Sequence, residues 1–312
     1  MADFTSLLRD IRRLCPDMEI LEQEPMSRHC SFRIGGPCAA MISPRSVEEI
    51  ETLCRLLRHA GEEPLLIGKG TNLLVTDAPL NRIVLRMGEN FAALEDTSPR
   101  TIRAQSGITL AQLATAAAAR SLAGLEFAHG IPGTLGGAVS MNAGAYGGEI
   151  CQILAESTCY DGNDGTVKAL CAEEHAFGYR HSSYRDHPER IVLSASFALQ
   201  PGDKTAIRAR MDDLMGRRMS KQPLEYPSAG SAFKRCEGRF TAQMIDEAGL
   251  KGFSIGGAQV AEKHAGFIIN RGGATSADVR GLIAHIQREL KKRFEVDICP
   301  EIVYVPPTDR EE

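Results

Sequence analysis

A chain of 312 residues with 43% hydrophobic and 24% charged side chains can bury two or three domain cores and has the composition of a soluble globular protein. Its net charge of −4, without a long basic run, argues against nucleic acid as a partner, and no apolar run approaches the roughly 20 residues that cross a bilayer, so no membrane insertion is expected. Nine scattered cysteines, an odd number without a C-x-x-C pair, point to reduced thiols in a cytoplasmic protein, not to a disulfide framework or a zinc site. Cys151, Cys159, Cys171 and His175 come nearest to a metal cluster, but their spacings match no usual site, so no metal is expected. The opening MADFTSLLRDIRRLC carries charge throughout and lacks a signal-peptide core.

Leu7, Leu8, Ile11 and Leu14 share one face of a first helix. A loop leads through Cys30 to Pro37 into a strand at Ala39–Ile42. Ser46 and Glu49 read as a capping box for a helix carrying Val47, Ile50, Leu53, Cys54 and Leu57, with Gly61 as its stop. A strand at Pro64–Ile67 enters the turn Gly68-Lys69-Gly70-Thr71-Asn72, the apolar run resumes at Leu73–Val75, and another strand covers Ile83–Met87. Residues 20–85 therefore read as a small α/β unit.

Beyond residue 86 the pattern is strand-rich. A strand at Thr101–Gln105 precedes a helix boxed by Thr109 and Gln112. Strands near Ile153–Tyr160 and Thr166–Leu170 flank a hairpin turn, Asp161–Gly165. Ile191, Leu193, Ala195, Phe197 and Leu199 alternate on one face of one more strand. Pro201-Gly202-Asp203 marks a boundary. A helix follows on Ile207, Met211, Leu214 and Met215, whose Met stripe reads as core. A loop spans Lys221 to Ser231, the last helix starts at Thr275 with Asp278 as its box partner, and a strand ends near Val305.

The densest signal is Gly124–Gly148, GLEFAHGIPGTLGGAVSMNAGAYGG, in which eight residues are glycine. Pro132, Thr134, Asn142 and Tyr146 rule out a flexible linker, and Ile131, Leu135, Val139 and Met141 predict burial. A buried, turning segment has many backbone N–H groups to satisfy, and a phosphate-bearing ligand satisfies them. The alternative is a glycine-rich crossover without a ligand. The GKGTN turn has the same character, two glycines around one residue and then small hydrogen-bonding side chains. It is not a G-x-G-x-x-G fingerprint, which needs glycine at Leu73, nor a phosphate loop, since Lys69 is followed by Gly70.

These two stretches resemble, in order, the flavin-binding half of the UDP-N-acetylenolpyruvoylglucosamine reductases. The resemblance continues through FGYRHSSYR at Phe177–Arg185, PSAGSAFKR at Pro227–Arg235, AGLKGFSIGGAQVAEKHAGFIIN at Ala248–Asn270, and CPEIVYV near the end, covering nearly the whole chain. The short span from Arg180 to Ser231 is similar to the shorter class of that family, which lacks an inserted tyrosine loop. Cys30 departs from the family's usual threonine, and Thr71 and Thr134 from a frequent serine.

The resemblance implies an α+β, vanillyl-alcohol-oxidase-like (PCMH-type) fold: a two-part FAD-binding domain and a C-terminal α/β substrate-binding domain. It would divide the chain into an N-terminal helix with a first FAD-binding subdomain (1–85), a second FAD-binding subdomain (86–202), a substrate-binding domain (203–306) and a tail (307–312). It implies non-covalent FAD, NADPH as reductant and a UDP-sugar substrate whose enolpyruvyl group is reduced for peptidoglycan synthesis. The implied FAD contacts are Gly68, Lys69, Gly70, Thr71, Asn72, Ile131, Pro132, Gly133, Thr134, Gly136, Gly137, Asn142, Gly144 and Tyr146. Lys221, Arg235 and Lys251 would face the substrate, whose diphosphate calls for cations.

Three residues take catalytic roles from the resemblance. Arg180 would grip the enolpyruvyl carboxylate and stabilise developing negative charge, Glu301 in its protonated form would hydrogen-bond the same carboxylate, and Ser231 would give a proton to C2. By themselves the three read as a surface arginine, a strand-edge carboxylate and a turn serine, and motif context alone reverses this. His129 and His264 offer themselves as ligand contacts but read first as structural hydrogen-bonding groups. Two alternatives stay open: another flavin oxidoreductase of the same fold, reactive with oxygen, and a nucleotide-sugar-binding regulator that has lost flavin.

Overall fold

The structure is a computed structural model that describes residues 4–236 and 238–307. The first three residues of the opening segment, and 308–312 of the expected tail, lie outside the described residues. The chain separates into two compact units. One gathers the described residues of Met1–Leu21, Ala40–Lys69 and Ile83–Arg217, and the other those of Glu22–Ala39, Gly70–Arg82 and Arg218–Glu312.

The first unit is built on a five-stranded antiparallel sheet in the order Thr166–Cys171, Leu154–Asp161, Arg190–Ala198, Thr101–Gln105, Leu94–Ser98. The Asp161–Gly165 turn forms as expected, with Asn163 N–H donating to Asp161 Oδ1 (3.0 Å) and Gly165 at φ +77. Helix Leu110–Ala119 packs its buried Leu110, Leu113, Ala114 and Ala117 into the core beside Leu135, Val139 and Phe197, and its Thr109/Gln112 capping box is complete. Helix Val47–His59 ends before Gly61, which takes φ +71 where L-residues are disfavoured. Leu65–Ile67 pairs in parallel with the segment from Val84 to Arg86.

One expectation needs correction here. Ser46 Oγ does accept from Glu49 N–H (3.2 Å), but Glu49 Oε2 reaches past Ser46 to Arg45 N–H (2.6 Å), so the reciprocal half of the box is missing. Strand Arg190–Ala198 buries the expected Ile191, Leu193, Ala195 and Phe197 on one face, and its other face is buried too from Val192 to Ser196. It is central in its sheet, and the face opposite the apolar residues carries buried serines that hydrogen-bond sideways. Ser194 Oγ pairs with Thr158 Oγ1 (2.6 Å) and receives Arg103 Nε–H (3.1 Å), while Ser196 Oγ donates to Glu156 (3.1 Å). The polar groups buried on that face are paired.

The second unit has a four-stranded antiparallel sheet, Ser228–Ser231, Phe267–Asn270, Ala258–Val260, Ser254–Ile255. Part of the expected 221–231 loop is thus a strand, which escapes sequence reading because it is four small residues with a bulge. Helix Ser276–Phe294 starts at the predicted Thr275/Asp278 box and buries Val279, Leu282, Ile286 and Leu290 with Met244 and Ile245 of Thr241–Glu247. Val303–Val305 pairs in parallel with Leu73–Val75. Of the Met stripe expected on helix Lys204–Lys221, Ile207, Met211 and Leu214 are buried in the core of the first unit, while Met215 is only half-buried. No described helix is long and apolar enough to cross a membrane.

Candidate active site

In the first unit Gly68 of the GKGTN turn lies close against the long glycine stretch because it has no side chain. A Cβ there would sit 2.1 Å from Oγ1 of buried Thr134. After Ile131, exposed Pro132 and Gly133 (φ +143), the stretch forms the short helix Leu135–Ser140. Leu135 N–H donates to Ile108 O and Gly136 N–H to Ser106 O, both 2.9 Å. A Cβ on Gly136 would press Ser106 Cβ at 3.0 Å, whereas one on Gly137 would meet nothing within 4 Å. The stretch is therefore not buried throughout: Leu135, Ala138 and Val139 face the core, while Pro132, Gly137, Tyr146 and Gly147 are exposed.

A bound FAD fits these residues on two observations. The space at Gly137 is open, and Ser106 Oγ and His129 Nδ1 are buried polar atoms with no partner in the protein. Native interiors seldom leave such atoms unpaired, and a polar ligand satisfies them. Ser106 escaped the sequence reading, since a lone serine after a strand carries no signal.

Gly144–Ala145 and Gly148–Glu149 pair as a two-residue hairpin with Tyr146 (φ +55) and Gly147 (φ +88) at its tip. Positive φ at both positions is what this tight turn requires. Gly144 and Gly148 are packing glycines, because a Cβ would come within 2.7 Å of Glu149 and 2.5 Å of the Phe127 ring. Asn142, at φ +43 and 2% exposed, uses its whole side chain on protein. Its Nδ2 donates to Glu149 Oε2 (3.1 Å) and Gly178 O (3.0 Å), and its Oδ1 accepts Cys151 N–H (3.0 Å).

Arg180 sits in the turn Gly178–His181, which closes through Gly178 N–H to His181 O (3.1 Å) and His181 N–H to Gly178 O (3.3 Å). Its φ of +55 is strained for a non-glycine residue. Its guanidinium lies over the Tyr179 ring at 5.1 Å and donates from Nη2 to Gly144 O at 3.4 Å. Beneath the turn, Ser157 Oγ bonds both His175 Nε2 (2.7 Å) and Tyr184 OH (2.6 Å), all three buried, and His175 stacks on Phe177 at 4.9 Å. Burial holds the His175 pKa below its ordinary value and raises that of Tyr184.

Ser231 and Glu301 lie in the second unit and are brought together there. Glu301 N–H donates to Ala232 O (2.9 Å), one residue from Ser231, and Ala232 N–H donates to Gly266 O (2.8 Å). Asn72 secures Glu301 from the other side: its Nδ2 donates to Glu301 O (3.1 Å), and its carbonyl accepts Val303 N–H (2.9 Å). Gly70, at φ +59, lies against His29 O and Cys30 Cα, which a Cβ would meet at 2.3 and 2.9 Å. The Cys30 thiol donates to Ile34 O (2.9 Å), and burial raises its pKa.

A cavity of about 190 Å³ in this unit is lined by Ser231, Lys234, Arg235 and His264 together with Phe233 and Phe240. His264 was expected to be structural, and one nitrogen is: Nδ1 accepts Gly266 N–H (3.1 Å), which leaves the proton of the neutral ring on Nε2. Burial lowers its pKa, and the charges of Lys251 and Lys221 lower it further, so both expected substrate lysines act on this imidazole. Lys251 also pairs with Asp246 at 2.5 Å. Lys69, Lys221, Arg235 and Lys251 are all solvent-exposed, and Thr71 is partly buried.

Comparison with known proteins agrees with this geometry. Residues 38–170 match a family of FAD binding domains, and residues 222–305 match the C-terminal domain of UDP-N-acetylenolpyruvoylglucosamine reductase. The chain is 43% identical over 304 residues to the UDP-N-acetylenolpyruvoylglucosamine reductase of Clostridium botulinum (strain 657 / Type Ba4), covering 97% of both chains. It is 44% identical over 289 residues to that of Pediococcus pentosaceus, covering 92% of this chain and 94% of the relative. The crystal structure of the Thermus caldophilus reductase superposes with a TM-score of 0.78 at 32% identity, over 93% of this chain and 99% of that one. The fold is accordingly an FAD-binding α+β domain followed by the reductase C-terminal domain, and the chain belongs to the UDP-N-acetylenolpyruvoylglucosamine reductase family.

Proposed function

We propose that this protein is an FAD-dependent oxidoreductase that uses NADPH to reduce the enolpyruvyl group of UDP-N-acetylglucosamine-enolpyruvate, giving UDP-N-acetylmuramate for peptidoglycan. The observation that carries this reading is Glu301 held one residue from Ser231 by the Glu301–Ala232 hydrogen bond, in a chain whose other unit carries an open glycine at Gly137 and two buried polar atoms without a partner among the described residues. FAD, when bound, would supply the hydride chemistry between NADPH and C3 of the enolpyruvyl group.

The remaining work falls to side chains. Gly68, Lys69, the Ile131–Thr134 segment, Gly136, Gly137, Gly144 and Tyr146, with Gly70, Thr71 and Asn72, hold the cofactor. Asn72 also fixes the backbone of Glu301 through its 3.1 Å hydrogen bond. Arg180 binds the enolpyruvyl carboxylate with its planar fork and stabilises the negative charge that develops as C3 receives hydride. Glu301 holds the same carboxylate. Ser231 gives its hydroxyl proton to the carbanionic C2. A hydroxyl is a weak acid, but a carbanion is a strong enough base to take its proton. Lys221, Arg235 and Lys251 neutralise the diphosphate.

Functionally, we divide the chain into FAD-binding parts over 1–85 and 86–202 and a substrate-binding part over 203–306. All nine cysteines are free, which favours a cytoplasmic setting. NADPH and the UDP-sugar use one pocket in turn, because the sequence holds no separate dinucleotide fingerprint. The test is an anaerobic titration of purified yellow protein. NADPH should bleach the flavin, and one equivalent of enolpyruvyl substrate should restore its colour and yield UDP-N-acetylmuramate. Bleaching that only oxygen reverses would favour a different flavin oxidoreductase, and a colourless protein that does not take up FAD would favour a binding protein.

A further inference from the structure

Asn142 belongs by resemblance among the cofactor contacts, yet its Nδ2 and Oδ1 are fully engaged by Gly178 O, Glu149 Oε2 and Cys151 N–H. Those three partners sit on two different pieces of backbone. Gly178 opens the turn that carries Arg180, while Glu149 ends the Gly144–Glu149 hairpin and Cys151 follows it. The same hairpin offers Gly144 O to the Arg180 guanidinium at 3.4 Å. We propose that Asn142 is a positioning residue for Arg180, tying the arginine's turn to the hairpin whose carbonyl receives its side chain.

The physical need is plain. Arg180 is held at φ +55, a conformation that a non-glycine residue keeps only when its surroundings impose it. One bond from Asn142 fixes the start of the turn, and Ser182 Oγ fixes its end by donating to Ser140 O (2.9 Å). Asparagine suits the joint for two reasons. It tolerates its own φ of +43 better than most side chains, and its amide offers two donors and one acceptor in a fixed plane. Aspartate at this position would lose both donors and face Glu149.

This inference rests on the reading that Arg180 acts on the enolpyruvyl carboxylate, and the experiment keeps the two apart. Asn142→Gly preserves the backbone conformation and removes the three bonds. It should retain FAD and be reduced by NADPH within about 3-fold of wild type, while reoxidation by the enolpyruvyl substrate slows by roughly 10–100-fold, the scale expected for a displaced positioning group. Adding Asn142→Gly to Arg180→Ala should bring no further slowing, because the arginine it positions is gone. Ser182→Ala should show a smaller loss in the same half-reaction and the same silence beside Arg180→Ala, and it carries the test if Asn142→Gly fails to fold. Slowing factors that multiply in the double variant, or loss of FAD from folded Asn142→Gly, would overturn the proposal. Wild-type protein that the substrate cannot reoxidise would instead overturn the functional reading.

Discussion

Gly137→Ala should move the stability of the apoprotein and its affinity for FAD in opposite directions. Gly137 lies inside helix Leu135–Ser140 without a positive φ, and a Cβ there meets no protein atom within 4 Å. With no clash, alanine is the better helix residue by about 0.5–1 kcal/mol, which raises the apoprotein Tm by roughly 1–3 °C. If the open space is occupied by flavin, the same methyl overpacks the holoprotein by about 1–3 kcal/mol. That weakens FAD binding by roughly 5–150-fold. Thermal melts of deflavinated protein and titration of FAD fluorescence quenching give the two numbers separately. Gly68→Ala is the contrasting control, since its Cβ would lie 2.1 Å from Thr134 Oγ1 and must lower the apoprotein Tm. Unchanged FAD affinity in Gly137→Ala would refute the placement of flavin at this glycine, and a lower apoprotein Tm would refute the reading of free space.

Two further substitutions test the frame beneath the site. Ser157→Ala removes the hydroxyl that serves both His175 and Tyr184, leaving two buried polar groups short of a partner at about 1–3 kcal/mol each, so the melting temperature should fall, and an unchanged melt would mean that the network is replaceable. Asp161 is buried and accepts from Lys168 (2.9 Å), Asn163 N–H (3.0 Å) and Arg190 (3.1 Å), with the Lys168 bond the chief cause of its lowered pKa. A depressed carboxylate contributes stability above its ordinary value of 3.8 and loses it as pH falls through the folded-state value. The stability gap between wild type and Asp161→Asn should therefore be widest near neutrality and close in acid below pH 3.8. A gap that does not vary with pH would show that the ion pairs contribute little.

Local rules made much of the fold legible. The boxes at Thr109 and Thr275, the Asp161–Gly165 turn and the stop at Gly61 depend on a few neighbouring residues, and all formed as their sequences specify. What sequence could not give depended on partners far along the chain. The double burial of Arg190–Ala198 follows from its central place in a sheet, where Ser194 finds side-chain partners 36 and 91 positions away. The site shows the same split. Motifs singled out Ser231, Glu301 and Arg180, but not the backbone hydrogen bond from Glu301 to Ala232, the residue after Ser231. Nor could spacing reveal that the Asn142 side chain bonds protein groups, or that Ser106 Oγ is left without a partner among the described residues.

The assignment of Ser231 as proton donor is tested most directly by stopped flow on the two half-reactions of Ser231→Ala, each measured without oxygen. No carbon is protonated while NADPH reduces the flavin, so that step should run near the wild-type rate. Reoxidation by the enolpyruvyl substrate requires a proton at C2, and loss of a positioned acid should slow it by roughly 10²–10⁴-fold. Arg180→Ala and Glu301→Gln should impair the same half-reaction, with losses that do not add, because all three residues serve one transition state. Equal slowing of both halves in Ser231→Ala would mean that the serine shapes the pocket, and normal reoxidation would contradict its role as the acid.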